Sequence, residues 1–330
     1  MTDYEAHNDL PELYPAPTAP SPQPADAAAP ANTRQRVVGL ARAARPQQWV
    51  KNVACFAGLM FSGQLLNPVA ARSACVAFAS YCLASSSAYL INDVLDRKSD
   101  RENVKKRGRP IASGLVPPAW AVLAAVSLVA SAVALSFLLP TACQFIILLY
   151  LLMSTAYSLR LKHAVLIDVL IIALGFVLRV LYGVYAVRVL PTPWIVLCMF
   201  FLALFLGFAK RRSELNRLVL ELADRQRPVL RKYRTGLLDL LLGMTATMAI
   251  SSYALYTVTG GSTHNPTLVV SVPLVVYGVF RYLLLVIIHE LGDAPEKDLL
   301  GDRLLVLTVI LWVVTCIAII YGKLKFFAPS

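Results

Sequence analysis

The chain has 330 residues, of which 58% are hydrophobic, and a formal net charge of +12. Soluble domains are roughly 45–50% apolar, so this composition excludes an ordinary soluble globular protein and indicates a polytopic membrane protein. The basic residues stand in short segments between apolar runs rather than on a separate domain, so no nucleic-acid partner is expected.

The N-terminal segment is rich in proline and alanine and contains no apolar run. Such a composition cannot bury a core, so residues 1–35 are predicted to form a disordered cytoplasmic tail. Residues 36–330 are then predicted to form a single transmembrane catalytic domain.

Apolar runs long enough to cross a bilayer follow one another along the rest of the chain. Lys and Arg concentrate in alternate connecting segments, which by the positive-inside rule places those segments and the N-terminus in the cytoplasm. A positive cytoplasmic face attracts anionic lipid headgroups and anionic substrates. The prediction is an all-α bundle of about nine transmembrane helices, at 46–65, 69–93, 117–138, 140–159, 164–186, 192–209, 236–259, 267–289 and 303–322.

Three aspartates lie at the C-terminal end of the second apolar run. Asp93, Asp96 and Asp100 are spaced so that on a helix they share one face, with Asn92 at its edge. Like charges this close repel unless a cation lies among them, and carboxylate oxygens suit Mg²⁺ shared with a diphosphate. The alternative is a solvated helix end with ordinary ion pairs. The candidate Mg²⁺ ligands are Asn92, Asp93, Asp96 and Asp100, and the three aspartates are the candidate catalytic residues.

Cations and hydroxyl groups around this face are candidate substrate contacts. Tyr89 precedes Asn92 by one helical turn and could bond a phosphate or sugar oxygen, although an interfacial tyrosine fits the position equally well. The run from Lys105 to Gly114 combines cations with glycines, which suits a loop that wraps phosphate; the ordinary positive-inside excess is the alternative. The candidate substrate-binding set is Lys51, Tyr89, Lys106, Arg107, Arg109, Tyr157, Lys162, Asp168, Arg179 and Lys210.

Two charged residues stand within the fifth apolar run. Asp168 and Arg179 share a helical face but are separated by about 16 Å of helix rise, too far to pair with each other. A charge inside an apolar helix is costly unless it faces a polar cavity or a partner on another helix. A structural interhelical pair is therefore the alternative to substrate binding for Arg179.

Together these residues resemble the UbiA-type intramembrane prenyltransferase superfamily over about residues 40–322. Residues 92–100 match its N-D-x-x-D-x-x-x-D motif. The resemblance implies helices around a lipid-open cavity beneath a cytoplasmic cap, with the motif binding Mg²⁺ and a diphosphate. Within the superfamily, four segments look most like the decaprenyl-phosphate phosphoribosyltransferase branch: 45–52, 106–114, 157–162 with Asp168 and Arg179, and 210–214. The basic stretch 209–235 supports this branch, because ordinary aromatic prenyltransferases usually carry a second aspartate-rich motif there.

That branch implies a glycosyltransferase, specifically a pentosyltransferase, in the bacterial plasma (inner) membrane with its active site facing the cytoplasm. Its implied reaction is the Mg²⁺-dependent transfer of a 5-phosphoribosyl group from phosphoribosyl diphosphate to decaprenyl or another polyprenyl phosphate, releasing diphosphate, in cell-wall arabinan precursor synthesis. Both substrates and membrane lipids are the implied partners, and a homo-oligomer is left open. One alternative is a prenyltransferase moving a prenyl group from prenyl diphosphate to an aromatic or other small acceptor. A membrane transporter is the alternative of another class.

Overall fold

In the computed structural model of the chain, residues 32–221, 235–259, 265–289, 291–292 and 295–322 are described. These ranges contain α-helices and short 3-10 helices, and they contain no β-strand. The 3-10 helices are Pro46–Phe56, Leu161–His163 and Pro266–Ser271. The α-helices are α1 Thr33–Ala43, α2 Ala57–Phe61, α3 Pro68–Leu95, α4 Arg97–Glu102, α5 Pro118–Ser136, α6 Thr141–Leu159, α7 Ile167–Ala186, α8 Pro193–Glu221, α9 Thr235–Thr259, α10 Val272–Ile288, α11 Pro295–Gly301 and α12 Arg303–Tyr321.

Eight helical segments in the described ranges are long and apolar enough to cross a membrane. They correspond to eight of the predicted apolar runs and confirm an all-α polytopic membrane protein. The segments are Pro68–Leu95, Pro118–Ser136, Thr141–Leu159, Ile167–Ala186, Pro193–Asn216, Gly236–Thr259, Pro266–Ile288 and Arg303–Tyr321.

The first predicted span differs from the others. Residues 46–65 form the 3-10 helix Pro46–Phe56 and then the five-residue α2, rather than one long helix. Polar side chains interrupt this stretch, and Asn52 is buried within it. A buried amide requires a hydrogen-bond partner, and the 3-10 helix supplies one by packing against both α3 and α7.

Two glycines allow this close approach to α7. A Cβ on Gly183 would lie 1.8 Å from the carbonyl oxygen of Cys55, and one on Gly58 would lie 2.6 Å from Cα of Val184. Neither distance is compatible with a real side chain, so glycine is required wherever the two backbones meet.

Helix α7 lies between the two larger hydrophobic cores. Its first turns supply Val169 and Ala173 to a core shared with α8, α9, α10 and α12. Its later turns supply Tyr182 and Ala186 to a core shared with α3 and α6. Helix α7 therefore links the two packed parts of the bundle.

The predicted N-terminal tail falls largely on residues 1–31, which lie outside the described residues. Helix α1 begins at Thr33, so the described chain is already helical before residue 36. The disordered tail and the boundary of the catalytic domain stay predictions.

Candidate active site

The predicted acidic face lies at the junction of two helices. Helix α3 ends at Leu95, Asp96 has φ −84° and ψ 2°, and α4 begins at the next residue. Helical hydrogen bonding nevertheless continues across the junction, because Asp96 N–H donates to Asn92 O at 2.9 Å and Asp100 N–H donates to Asp96 O at 2.8 Å. The carboxylates therefore stay near one another, but they do not share one uninterrupted helix.

Asp93 is only 2% exposed and contacts two arginines. Its Oδ1 accepts from Nη2 of Arg45 at 2.5 Å and from Nη1 of Arg109 at 3.2 Å. The Arg45 guanidinium also lies 4.9 Å from the ring centroid of Tyr89, within cation–π range. A buried carboxylate requires a compensating positive charge. Here one arginine precedes α3 in the sequence and the other follows it.

Arg45 has an unusual backbone conformation. It lies between α1 and the 3-10 helix with φ 54° and ψ 59°, in the left-handed region. A non-glycine residue is strained there and persists only where its surroundings hold it. The ion pair with Asp93 is one such restraint.

Arg109 joins two of the predicted metal ligands. Its Nη1 donates to Oδ2 of Asp100 at 2.7 Å as well as to Asp93, and Asp100 is also only 2% exposed. The loop that carries Arg109 is anchored where Nε of Arg101 donates to the carbonyl oxygen of Ala112 at 2.7 Å. The structure thus brings one cation of the predicted basic loop into direct contact with the acidic face.

Asp96 has a different partner. Its Oδ1 accepts from the ammonium group of Lys162, which lies in the 3-10 helix Leu161–His163 after α6 and is largely buried. The two residues are 66 positions apart in the sequence. Cations from three separate segments therefore neutralise the three aspartates.

The aspartates and Asn92 have the oxygen donors that Mg²⁺ prefers. Within the described ranges, however, no three acidic, histidine or cysteine side chains are grouped so that they could hold one metal ion. The donor types fit Mg²⁺, while the carboxylates as placed are engaged with arginine and lysine. Binding of Mg²⁺ by Asn92, Asp93, Asp96 and Asp100 stays a prediction.

Other predicted substrate contacts lie around this junction. The backbone N–H groups of Lys106 and Arg107 both donate to the carbonyl oxygen of Asn103, at 3.0 and 2.9 Å, which turns the chain after α4. Arg107 is exposed, whereas Lys51, Tyr89, Lys106, Tyr157 and Lys210 are half-buried.

Arg179 is not part of the carboxylate cluster. Its Nε donates to Oδ1 of Asn52 at 2.8 Å, and the ring of Phe176 lies 4.7 Å from its guanidinium carbon. Asn52 in turn donates to Oγ of Ser85 at 3.1 Å, and Ser85 precedes Asp93 by about 12 Å of helix rise. Arg179 therefore lies deeper in the bundle, with an amide and aromatic rings as its described partners.

Asp168 is fully buried and contacts Arg211 of α8. Arg211 Nε lies 2.9 Å from Oδ2 of Asp168, although the two are not aligned as a hydrogen bond. Arg211 also contacts the carboxylate of Glu214. Asp168 and Arg211 thus form an ion pair between α7 and α8.

Three arginines were missed by the sequence-based selection of site residues. Arg45 contacts Asp93, and Arg211 contacts Asp168. Arg97 begins α4, and within the described part of the chain its buried Nε has no hydrogen-bond partner. In the sequence, Arg97 is marked by its position directly after Asp96.

The last described loop has a structural ion pair. Arg281 Nη2 donates to Oδ2 of Asp302 at 2.7 Å, and the backbone N–H of Leu305 donates to Oδ1 at 2.8 Å. The guanidinium of Arg281, together with this N-cap bond, holds the pKa of Asp302 below its ordinary value. This agrees with a structural rather than a substrate-binding role.

The sequence is similar to a known protein family and to curated relatives. The UbiA prenyltransferase family matches residues 52–299, a range that includes Asn52, the acidic face, Lys162 and Arg211. A decaprenyl-phosphate phosphoribosyltransferase of Corynebacterium glutamicum is 32% identical over 290 residues, covering 86% of this chain and 87% of the relative. One of Mycobacterium tuberculosis, with the same name, is 32% identical over 287 residues, covering 84% and 93%.

The solved structures show the same fold. A UbiA homologue from Archaeoglobus fulgidus bound to DMAPP and Mg²⁺ has a TM-score of 0.66 with 18% identity, covering 86% of this chain and 99% of the homologue. A digeranylgeranylglyceryl phosphate synthase has a TM-score of 0.62 with 17% identity and the same coverage. At these identities the likeness concerns the helical architecture alone.

Proposed function

The chain belongs to the UbiA prenyltransferase family, and from that premise we propose that it transfers a 5-phosphoribosyl group from phosphoribosyl diphosphate to a polyprenyl phosphate. The family makes it a membrane transferase. The choice of donor and acceptor is supported by the relatives at 32% identity that cover most of both chains. We extend the proposal to Mg²⁺ dependence, to a cytoplasm-facing site and to a role in cell-wall arabinan precursors.

One observation carries the proposal. Each aspartate of the acidic face contacts a cation from elsewhere in the chain, namely Arg45, Arg109 or Lys162. A site that holds both signs of charge so close together suits a ligand that is itself a metal diphosphate. The carboxylates would then face the metal, and the freed cations would face phosphate oxygens.

The chemistry needs no strong base. An oxygen of the lipid phosphate forms a bond to the anomeric carbon of the ribose, and the bond from that carbon to the diphosphate oxygen breaks. The electron pair leaves with diphosphate, and no proton has to be removed, because the attacking phosphate is already an anion. Bound Mg²⁺ would supply stabilisation of the charge that develops on the leaving diphosphate.

The residues of the chain then act by positioning and by charge. Two anionic substrates repel each other, so cations must lie near both. Arg109 and Lys162, which contact the acids, would have that role. In this proposal Asn92, Asp93, Asp96 and Asp100 hold the metal. The further proposed donor or acceptor contacts are Lys51, Tyr89, Lys106, Arg107, Tyr157 and Lys210.

Arg179 and Asp168 have more restricted proposed roles. The guanidinium of Arg179 lies about two helical turns below the acids, so it would contact only a part of the substrate that extends into the bundle. Asp168 would act through Arg211, which it holds against α7.

A donor-choice assay tests the proposal. Purified protein receives labelled phosphoribosyl diphosphate with polyprenyl phosphate, and in parallel labelled prenyl diphosphate with an aromatic acid. Label should enter the lipid fraction only in the first reaction and only with Mg²⁺ present. Prenylation of the aromatic acid without phosphoribosyl transfer would contradict the proposal. Solute flux in proteoliposomes without either transfer would favour a transporter.

A further inference from the structure

An apolar groove of about 520 Å³ lies between α1 and α5, apart from the ion-paired acids. It is lined by Val37, Leu40 and Ala41 of α1 and by Ala44, the residue that caps this helix, and these four are spaced as one helical stripe. Helix α1 faces the rest of the protein with a neighbouring stripe, because Gly39 and Ala43 are its buried residues. Leu40 of the groove stripe also packs against the core that contains Ala43 and Leu90, whereas Val37 is exposed.

The opposite wall belongs to α5. Trp120, Ala124 and Leu128 line it at four-residue spacing, so they form a matching stripe along that helix. The volume falls in the range of small-molecule sites, roughly 300–1,000 Å³, and the lining of this cleft is apolar apart from Ser127. Such a cleft fits a hydrocarbon chain better than a polar ligand.

The groove leads to the acidic face. Leu90 of α3 also lines it, and Leu90 precedes Asp93 by one helical turn. At the end of α1, Ala44 lines the groove and is followed directly by Arg45, which is bonded to Asp93. A chain lying in the groove would therefore have its end beside Arg45.

The charged residues of α1 are all basic. Helix α1 carries Arg34, Arg36 and Arg42 and has no acidic residue. The guanidinium carbon of Arg36 lies 5.9 Å from the ring centroid of Trp120, and its buried Nε has no hydrogen-bond partner within the described ranges. The guanidinium of Arg36 thus packs against Trp120, one of the residues that line the groove.

We propose that this groove binds the isoprenoid units nearest the phosphate of the polyprenyl phosphate acceptor, with that phosphate at the Arg45 end. The identity of the lipid rests on the proposed function. The combination of an apolar cleft and an end at the acidic face, beside Arg45, favours this lipid over a phospholipid, because only an acceptor must reach the aspartates.

Photocrosslinking tests the groove without relying on turnover. The full chain in lipid nanodiscs is exposed to a polyprenyl phosphate that carries a diazirine in the units nearest the phosphate, and the labelled peptides are mapped by mass spectrometry. Label should fall on residues 37–44 and 120–128. Excess unlabelled polyprenyl phosphate should remove it, and equal phosphatidylglycerol should not. Label elsewhere, or equal displacement by phosphatidylglycerol, would overturn the proposal.

A matched pair of variants adds a kinetic test. Ala124→Phe fills the groove, whereas Ala130→Phe makes the same change at an exposed position of α5 that does not line it. Crosslinking should fall with Ala124→Phe only, and its KM for polyprenyl phosphate should rise about tenfold while its KM for the donor is unchanged. Equal crosslinking and equal KM values for the two variants would contradict the proposed lipid site. Correct crosslinking without any phosphoribosyl transfer would support the groove and contradict only the proposed function.

Discussion

Nη2 of Arg45 lies 2.5 Å from Oδ1 of Asp93, a residue 48 positions later in the sequence. The pair joins the residue between α1 and the 3-10 helix to the last turn of α3. It joins the end of the apolar groove at Ala44 to the acidic face, and it restrains Arg45 in its left-handed conformation. Both the stability of this end of the bundle and its chemistry should depend on it.

Replacing Arg45 tests that dependence. In Arg45→Ala, Asp93 keeps Arg109 but loses a charged hydrogen bond, which should lower stability by about 1.5–3 kcal/mol and reduce transfer. Apparent melting temperature in detergent and the initial transfer rate would measure both effects. Arg72→Ala is the control, since Arg72 is exposed near the opposite end of α3. Equal results for the two variants would show that the Arg45 contact is incidental.

Replacing Asp96 tests the acidic face. Asp96→Asn keeps the size of the side chain but removes the charge that pairs with Lys162, so the transfer rate should fall at least about 100-fold with the fold intact. Glu102→Gln is the matched control, because Glu102 is an exposed acid on the neighbouring α4. A rate near wild type for Asp96→Asn would mean that the acids only terminate a helix.

The buried pair between α7 and α8 should be coupled. Asp168→Asn or Arg211→Met alone leaves a buried charge less compensated, at a cost of about 3–5 kcal/mol. The double variant should lose much less than the sum of the two single changes. Apparent melting temperatures of all four proteins would show this, and strict additivity would contradict a direct interaction.

The glycine contact tests the unusual first segment. Gly183→Ala would place a Cβ 1.8 Å from the Cys55 carbonyl oxygen, so the 3-10 helix must move and the melting temperature should fall by many degrees. Gly243→Ala is the control, because nothing lies within 4 Å of its Cβ position and alanine favours a helix by about 1 kcal/mol. Equal melting temperatures would contradict the close packing of residues 46–56 on α7.

The ion pair between Asp302 and Arg281 should stabilise the fold in a way that depends on pH. Folding lowers the pKa of Asp302 from the ordinary 3.8, chiefly through the hydrogen bond from Arg281. This contribution is therefore complete above pH 4 or so and is lost as the pH falls through the lower folded-state pKa. Asp302→Asn should melt below wild type at pH 7, and the difference should shrink under acid. A difference that does not change with pH would exclude this linkage.

The spans were predictable from hydropathy because each transmembrane helix needs its own apolar run. The first predicted span, residues 46–65, forms a 3-10 helix and a short α-helix instead of one long helix. Its composition does not reveal that Gly58 and Gly183 let this stretch pack closely on α7. The local spacing of Asp93, Asp96 and Asp100 indicated that these side chains lie close together at the end of α3. It could not reveal the break at Asp96.

The partners of the acids were much less predictable. Arg45, Arg109 and Lys162 reach the aspartates from positions 48, 9 and 66 residues away, and only tertiary packing brings the distant two together. Periodicity showed that Asp168 and Arg179 share a face of α7 but not that their partners are Arg211 and Asn52. Sequence spacing thus identified the candidate residues and left their pairing open.

The most direct test of the central claim is the transfer of label from phosphoribosyl diphosphate to polyprenyl phosphate by the purified chain, measured against Mg²⁺ concentration for wild type and Asp96→Asn. We predict a labelled lipid product that requires Mg²⁺ in wild type and a loss of at least about 100-fold in the variant. The absence of labelled lipid from folded wild-type protein, at any Mg²⁺ concentration, would contradict the account.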